Sequence, residues 1–258
     1  MAAHIARKRF GQHFLTDGAV IGAIVREIDP RPGQALVEIG PGLMALTQPL
    51  LERCGAMTVI ELDRDLAARL RARAGLQVVE ADVLTVDFGA LADTAAPKPL
   101  RVVGNLPYNI SSPILFHLLP LAGRVADQHF MLQKEVVDRM AADPGSKVYG
   151  RLSVMLQAYC RVQALFDVPP GAFSPPPKVD SAVVRLLPRN EADIGISDHQ
   201  HFESLVKAAF AQRRKTLRNT LREVATAEQM ESVGIDPGDR AEAIAVPDYV
   251  RLSNALVG

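Results

Sequence analysis

The stretch Ala35-Leu36-Val37-Glu38-Ile39-Gly40-Pro41-Gly42 decides the fold. A short, largely apolar run ends in two glycines around a proline. It is followed by Leu43–Arg53, whose apolar residues recur at three- and four-residue spacing, so the segment reads as strand, tight turn and helix. Glycines at such a turn let a ligand approach the backbone, and the helix start offers unpaired N–H groups. A dinucleotide fingerprint needs a third glycine where this chain has Ala45, which weakens a nicotinamide reading. Alone, the turn is only a turn, and its meaning depends on its neighbours.

Outward from it, Met57–Ile60, Leu76–Val79, Leu100–Val103 and Gln128–Leu132 read as further strands, separated by helical Arg64–Ala74 and Ser111–Leu119. Asp17 is placed to cap a first helix over Gly18–Ile28. Helical Lys134–Ala142 and Arg151–Tyr159, then strand-like Arg161–Phe166 and Ala182–Leu187, complete the pattern. Strand–helix alternation predicts an α/β fold: a parallel sheet covered on both faces, with ligands at the carboxyl ends of its strands. After Leu187 the strand pattern stops and Pro188–Ser197 is polar and punctuated, which predicts a domain over 1–188 and a small all-helical one over 189–258.

The 258 residues are 48% hydrophobic and 22% charged, which excludes a disordered chain. No run of about 18 apolar residues occurs, so the reading is cytoplasmic, without membrane attachment. Cys54 and Cys160 lie far apart with no metal spacing, so neither a disulfide framework nor a bound metal is expected. The 29 basic and 29 acidic residues balance, but unevenly. Arg7, Lys8 and Arg9 stand in an acid-free N-terminus. Lys207, Arg213, Arg214, Lys215, Arg218 and Arg222 form a second acid-free stretch. Charge runs usually make a solvated helix face. Six cations here, in a chain otherwise net acidic, favour contact with nucleic-acid phosphates instead.

Glu61 closes the second strand 21 positions after Gly40, and Asp82 follows the third strand 21 positions after Glu61. Each alone could cap the next helix. In register with the glycine turn they suit a nucleoside, one accepting from a ribose diol and the other from an adenine amine. Without a phosphate-binding loop that nucleoside is S-adenosylmethionine rather than a dinucleotide or ATP. The fourth strand ends in Gly104-Asn105-Leu106-Pro107-Tyr108. An exocyclic adenine amine is a poor nucleophile because its lone pair is delocalised. The Asn105 side-chain oxygen and the Leu106 carbonyl can accept its two N–H bonds, Pro107 stiffens the turn, and Tyr108 offers a ring for an unstacked base.

Gln12–Leu15 (QHFL), Val37–Thr47 (VEIGPGLMALT), Ile60–Asp63 (IELD), Glu80–Leu84 (EADVL), Gly104–Leu115 (GNLPYNISSPIL), Gln133–Val136 (QKEV) and Phe173–Leu186 (FSPPPKVDSAVVRL) together resemble the bacterial small-subunit ribosomal RNA adenine dimethyltransferases, and the resemblance continues through a basic helix, Ala209–Arg222. It implies a Rossmann-like class I S-adenosylmethionine-dependent methyltransferase, a monomer. Its expected reaction is transfer of methyl groups to N6 of two adjacent adenosines in the 3′-terminal stem-loop of 16S rRNA during subunit biogenesis. By position it implies cofactor contacts from His13, Leu15, Gly40, Glu61, Asp82 and Asn105. It implies catalytic roles for Asn105, Leu106, Pro107 and Tyr108, with Phe173 as a second ring opposite Tyr108, and RNA contacts from Arg213, Arg214, Lys215, Arg218 and Arg222. For Phe173 the competing reading is a core aromatic, and for His13 a residue of the N-terminal arm. Met44 stands where the family usually has glycine, and is expected to pack against the sheet, away from the site. Two alternatives remain: a 23S rRNA dimethyltransferase, which shares the motif around Asn105, and an assembly factor that methylates slowly.

Overall fold

A computed structural model describes residues 13–258 apart from Ala122; Arg7, Lys8, Arg9 and Gln12 lie outside the described residues. In chain order come β1 (Phe14–Leu15), α1 (Gly18–Ile28), β2 (Ala35–Ile39), α2 (Thr47–Cys54), β3 (Met57–Glu61), α3 (Arg64–Arg71), β4 (Leu76–Glu80), α4 (Phe88–Ala95), β5 (Leu100–Asn105), α5 (Ser111–Leu118) and β6 (Val125–Gln133). Next are α6 (Lys134–Met140), α7 (Arg151–Tyr159), β7 (Cys160–Val168), β8 (Phe173–Ser174) and β9 (Ser181–Pro188). Beyond Pro188 lie α8 (Glu191–Ile194), α9 (His199–Ala209), α10 (Leu217–Thr220), α11 (Ala227–Ser232) and α12 (Val246–Val257).

Seven strands form one sheet in the order β4-β3-β2-β5-β6-β9-β7. The five strands from β4 to β6 run parallel, and β9 runs antiparallel to β6. The expected all-parallel sheet is therefore corrected at this edge. β9 is reached from β7 through a loop holding only a short turn and β8, and no crossover helix is present to bring it back parallel. The chain passes from β2 to β3 on one side and returns to β5 on the other, so the strand order reverses at β2. Ligand crevices open at the carboxyl ends of strands at such a reversal.

Leu36, Val37, Val59, Ile60, Val102 and Val103 are almost fully buried, the near-continuous apolar pattern of strands covered on both faces. Helix α1 lays Ile24, Val25 and Ile28 into the same core. Asp17 caps it as expected, its Oδ1 accepting from Ala19 N at 2.8 Å and Val20 N at 3.0 Å. At the other end, buried Arg101 holds Asp127 through two 2.8 Å bonds and donates to the Ile28 carbonyl, tying the last turn of α1 to β5 and β6.

The helix expected over Leu43–Arg53 begins only at Thr47. Gly42 at φ 54° and Met44 at φ 70° are left-handed and cannot continue a right-handed helix, whereas Pro49 sits in the first turn of α2, where it is tolerated. Met44 packs against the core, as expected, and is absent from the wall of the cavity described below. Its left-handed backbone accounts for glycine being the residue that fits here most easily. Met44→Gly removes strain of about 1 kcal/mol and partly buried packing of similar size, so the two nearly cancel. Thermal unfolding should shift by less than about 1 kcal/mol, and calorimetry should show cofactor affinity changed by less than about tenfold. A loss above about 2 kcal/mol would contradict this balance.

Two compact units emerge. One takes in the described residues through Val137 with Gln163–Pro188, and the other comprises Asp138–Val162 and Arg189–Gly258. The break after Pro188 coincides with the polar linker. The excursion over 138–162 gave no compositional sign, because α7 is a continuation of the same helical pattern. In the second unit α7 packs with α9 and α12. Tyr149 donates to the Ile244 carbonyl at 3.0 Å, and Tyr249 to that of Ala241 at 2.8 Å. Both cysteines are free and buried.

Candidate active site

At the carboxyl ends of β2, β3, β4 and β5 lies a cavity of about 280 Å³. His13, Leu15, Gly40, Glu61, Asp82, Asn105, Leu106, Pro107 and Tyr108 all face it. Strand geometry brings them together across 96 residues of sequence. The approach of β5 to β2 is unusually close: a Cβ on Gly104 would meet the Ile39 carbonyl oxygen at 2.5 Å. Only glycine fits there, and this sets Asn105 beside Gly40, whose own Cβ would lie 3.8 Å from the Asn105 carbonyl.

Glu61 organises the glycine turn. One carboxylate oxygen accepts from Gly42 N at 3.2 Å and the other from Asp63 N at 2.9 Å. Burial pushes its pKa up, and these two N–H bonds oppose the shift. Asp82 accepts from Leu84 N at 3.0 Å, so it caps a turn and faces the cavity at once. The two readings of that residue are compatible.

Asn105 donates through Nδ2 to the His13 carbonyl at 3.1 Å, which fixes the amide and leaves Oδ1 as the end that can accept. The Leu106 side chain is buried, and its N–H bonds to the Met131 carbonyl at 3.1 Å, so β6 anchors the turn. The Tyr108 hydroxyl lies 2.6 Å from Ser181 Oγ, and burial raises its pKa. Tied down and kept neutral, Tyr108 presents its ring rather than its oxygen.

Phe173 is not brought to Tyr108. It is 4% exposed within the core around Leu15, with which it pairs across β1 and β8, and it is absent from the cavity wall. The ring stacked on Tyr108 is His13, with centroids 5.7 Å apart and planes at 25°. His13 Nδ1 also donates to the Pro175 carbonyl at 2.9 Å.

Sequence reasoning passed over Glu38. It lines the cavity, is 2% exposed, and its Oε2 has no hydrogen-bond partner. Burial, with a smaller push from the Glu61 charge, raises its pKa to about 8, and the Thr47 hydroxyl offsets this only in part. The available signal was a lone acid in an otherwise apolar strand, buried from Leu36 to Ile39.

In the second unit Arg213, Arg214, Lys215, Arg218 and Arg222 are all exposed. They do not form the expected continuous helix: α9 stops at Ala209 and α10 spans only Leu217–Thr220. Between them Thr216 bridges to Arg240, and the Leu217 and Arg218 N–H groups bond to the Asp239 and Pro237 carbonyls instead of to a preceding helical turn. Arg213 donates to the Lys147 carbonyl at 2.6 Å, and Arg222 pairs with Glu223 at 3.0 Å.

Among the described residues, no helix is long and apolar enough to cross a membrane and no cluster of His, Cys, Asp or Glu is arranged to hold a metal. The fold matches that of a dimethyladenosine transferase from Plasmodium falciparum at a TM-score of 0.77 and 24% identity, over 93% of this chain and 96% of that one. It also matches a 23S rRNA methyltransferase, ErmE, at 0.69 and 27%, over 95% and 100%. The sheet is thus of the Rossmann-like class I methyltransferase type. A protein of Xanthomonas campestris, ribosomal RNA small subunit methyltransferase A, is 63% identical over 253 residues, spanning 96% of this chain and 95% of that protein. One of the same name from Xanthomonas oryzae is 62% identical over the same length. The family model for ribosomal RNA adenine dimethylases matches residues 3–257, and the chain belongs to that family.

Proposed function

We propose that the chain transfers methyl groups from S-adenosylmethionine to N6 of two adjacent adenosines in the 3′-terminal stem-loop of 16S rRNA, producing N6,N6-dimethyladenosines during small-subunit biogenesis. One observation carries this reading: Asn105 is pinned by its own amide hydrogens in a cavity that Glu61 and Asp82 also face. The residues suit the cofactor. Carboxylates at successive strand ends match a nucleoside's diol and amine, and an orphaned acidic oxygen on Glu38 suits a cation. When bound, S-adenosylmethionine supplies an electrophilic methyl on a sulfonium.

The Asn105 Oδ1 and the Leu106 carbonyl accept the two N–H bonds of the target amine and draw its lone pair out of the ring. The amine nitrogen forms the new bond to carbon as the carbon–sulfur bond breaks, and its surplus proton passes to solvent. A neutral acceptor at Asn105 also serves the second transfer, when the amine retains a single N–H. The Tyr108 ring holds the unstacked base, and the His13 ring now stacked on it yields that face. Phe173, buried as it is, supports β1 from below while the base is engaged. The exposed arginines and lysine of 213–222 hold rRNA phosphates, and the first unit carries the chemistry. The second unit serves subunit contact.

A small-subunit substrate is favoured over 23S rRNA because the relatives named for the small subunit are 62–63% identical, against 27% for the 23S enzyme. Labelled-methyl incubation with separated small and large subunits tests the choice. Label confined to undermethylated small subunits is expected, and label in large subunits would overturn it. Single-turnover rates on free rRNA and on assembled subunits then separate an efficient enzyme from a slow assembly factor.

A further inference from the structure

Strand β9 brings one residue to the cavity's edge of the sheet by running against its neighbour β6. The parallel strands present their last residues at that edge, whereas an antiparallel strand presents its first, and β9 begins with Ser181. Ser181 stands opposite Gln133 at the carboxyl end of β6. The Asp180 carbonyl beside it accepts from Lys134 N at 2.9 Å, which fixes where the strand begins. Ser181 is fully buried and takes no part in the cavity wall, so it does not touch what the cavity holds. Its Oγ lies 2.6 Å from the Tyr108 hydroxyl.

Tyr108 is thereby held at both ends. Ser111 Oγ donates to its carbonyl at 3.2 Å, and Ser181 engages the far tip of its ring. A phenolic O–H lies in the plane of its ring, because the oxygen is conjugated with it. A partner fixed on a β-strand therefore sets both where the ring points and how it is rolled about its own axis. His13, stacked at 25°, marks the face so presented to the cavity. The residues that follow in β9, Ala182, Val183 and Val184, are buried and apolar. An apolar residue at 181 would serve the strand equally well, but would leave the buried phenol without its partner.

Resting on the dimethylation reading above, we propose that Ser181 is a positioning residue that acts through Tyr108 to carry the reaction from the first methyl to the second. Each transfer forms an N–C bond from the N6 lone pair, returns the C–S pair to sulfur and releases one N–H proton. In the first, Asn105 Oδ1 and the Leu106 carbonyl hold two N–H groups, so two bonds and the stacked ring align the base. In the second a single N–H remains, one acceptor is idle, and the ring carries more of the alignment. A ring freed from Ser181 still stacks on the base, so binding persists, but N6 is held less accurately against the methyl. The loss falls on the second rate more than on the first.

The test uses full-length protein in excess over undermethylated small subunits, with saturating S-adenosylmethionine. Nucleoside analysis of a quenched time course follows N6-methyladenosine and N6,N6-dimethyladenosine together. Ser181→Ala should slow the first transfer by less than about threefold and the second by about tenfold or more, so that N6-methyladenosine accumulates. Affinity for small subunits, and for S-adenosylhomocysteine, the cofactor without its methyl, should stay within about twofold of wild type. Tyr108→Phe keeps the ring and removes the same hydrogen bond from the other side, so it should give the same product ratio. The double variant should be no worse than either single one, since there is one bond to lose. Dimethyladenosine formed by Ser181→Ala without accumulated N6-methyladenosine would overturn the proposal, and so would defects that multiply in the double variant. If Ser181→Ala does not fold, Tyr108→Phe, which leaves β9 intact, decides, and dimethylation at the wild-type rate there overturns the proposal. Wild-type protein that makes no dimethyladenosine would overturn the dimethylation reading itself, and the proposal with it.

Discussion

Asn105→Ala should lower the single-turnover rate of methyl transfer by about 10³-fold while weakening cofactor affinity by no more than about threefold. The rate falls because the side-chain oxygen accepts from an amine whose N–H groups become more acidic as the nitrogen takes the methyl, so the interaction is worth most in the transition state. Affinity falls slightly because the same amide donates to the His13 carbonyl and steadies the β1 segment over the cavity. Asn105→Asp separates the two roles. It keeps acceptors and loses the donor, so it should share the small affinity defect but retain more of the rate than alanine does. Single-turnover kinetics with calorimetry on each variant reads both quantities. Near-normal turnover in Asn105→Ala would remove Asn105 from the chemistry.

Reversing Arg213, Arg214 and Arg218 to Glu should weaken binding to small subunits by more than about 10³-fold at low salt. It should also lower the slope of log affinity against log salt by about three units, roughly one per lost phosphate contact. S-adenosylhomocysteine affinity should not change, because the three residues belong to the second unit and the cavity is built from the first. Arg213 also donates to the Lys147 carbonyl, so its loss perturbs the 143–149 loop as well. The Arg214/Arg218 double reversal avoids that contact and should still remove about two units of slope. Arg222, paired with Glu223, should contribute less than either. Filter binding across 50–200 mM salt measures these slopes, and an unchanged slope would make the cluster a solvated surface.

Much of this was legible in the sequence where local chemistry decides. Helix α1 and its Asp17 cap, α7, and the strands around the glycine turn follow from periodicity and capping alone. Gly40, Glu61, Asp82 and the Asn105 turn were legible because they stand at or just past the ends of parallel strands, which gather their carboxyl ends in one place, whereas His13 and Leu15, at the antiparallel β1, followed only from the resemblance. What failed to show depended on distant partners or on backbone angles. The buried placement of Phe173 follows from a two-residue pairing of β8 with β1, between residues 158 apart. The late start of α2 follows from left-handed Gly42 and Met44, and periodicity is blind to φ. The antiparallel course of β9 and the excursion over 138–162 are matters of connection rather than propensity. Glu38 was hidden because a residue in an apolar strand is read first as part of the strand.

The most direct measurement is nucleoside analysis of small subunits lacking the modification, after incubation with the protein and labelled S-adenosylmethionine. Mass spectrometry of the digested 16S rRNA should find N6,N6-dimethyladenosine at two adjacent positions near the 3′ end, and two labelled methyl groups on each. Label in a different nucleoside, single methylation that never proceeds to the second, or no label in the small subunit would contradict the assignment of Asn105 and its cavity to adenine dimethylation.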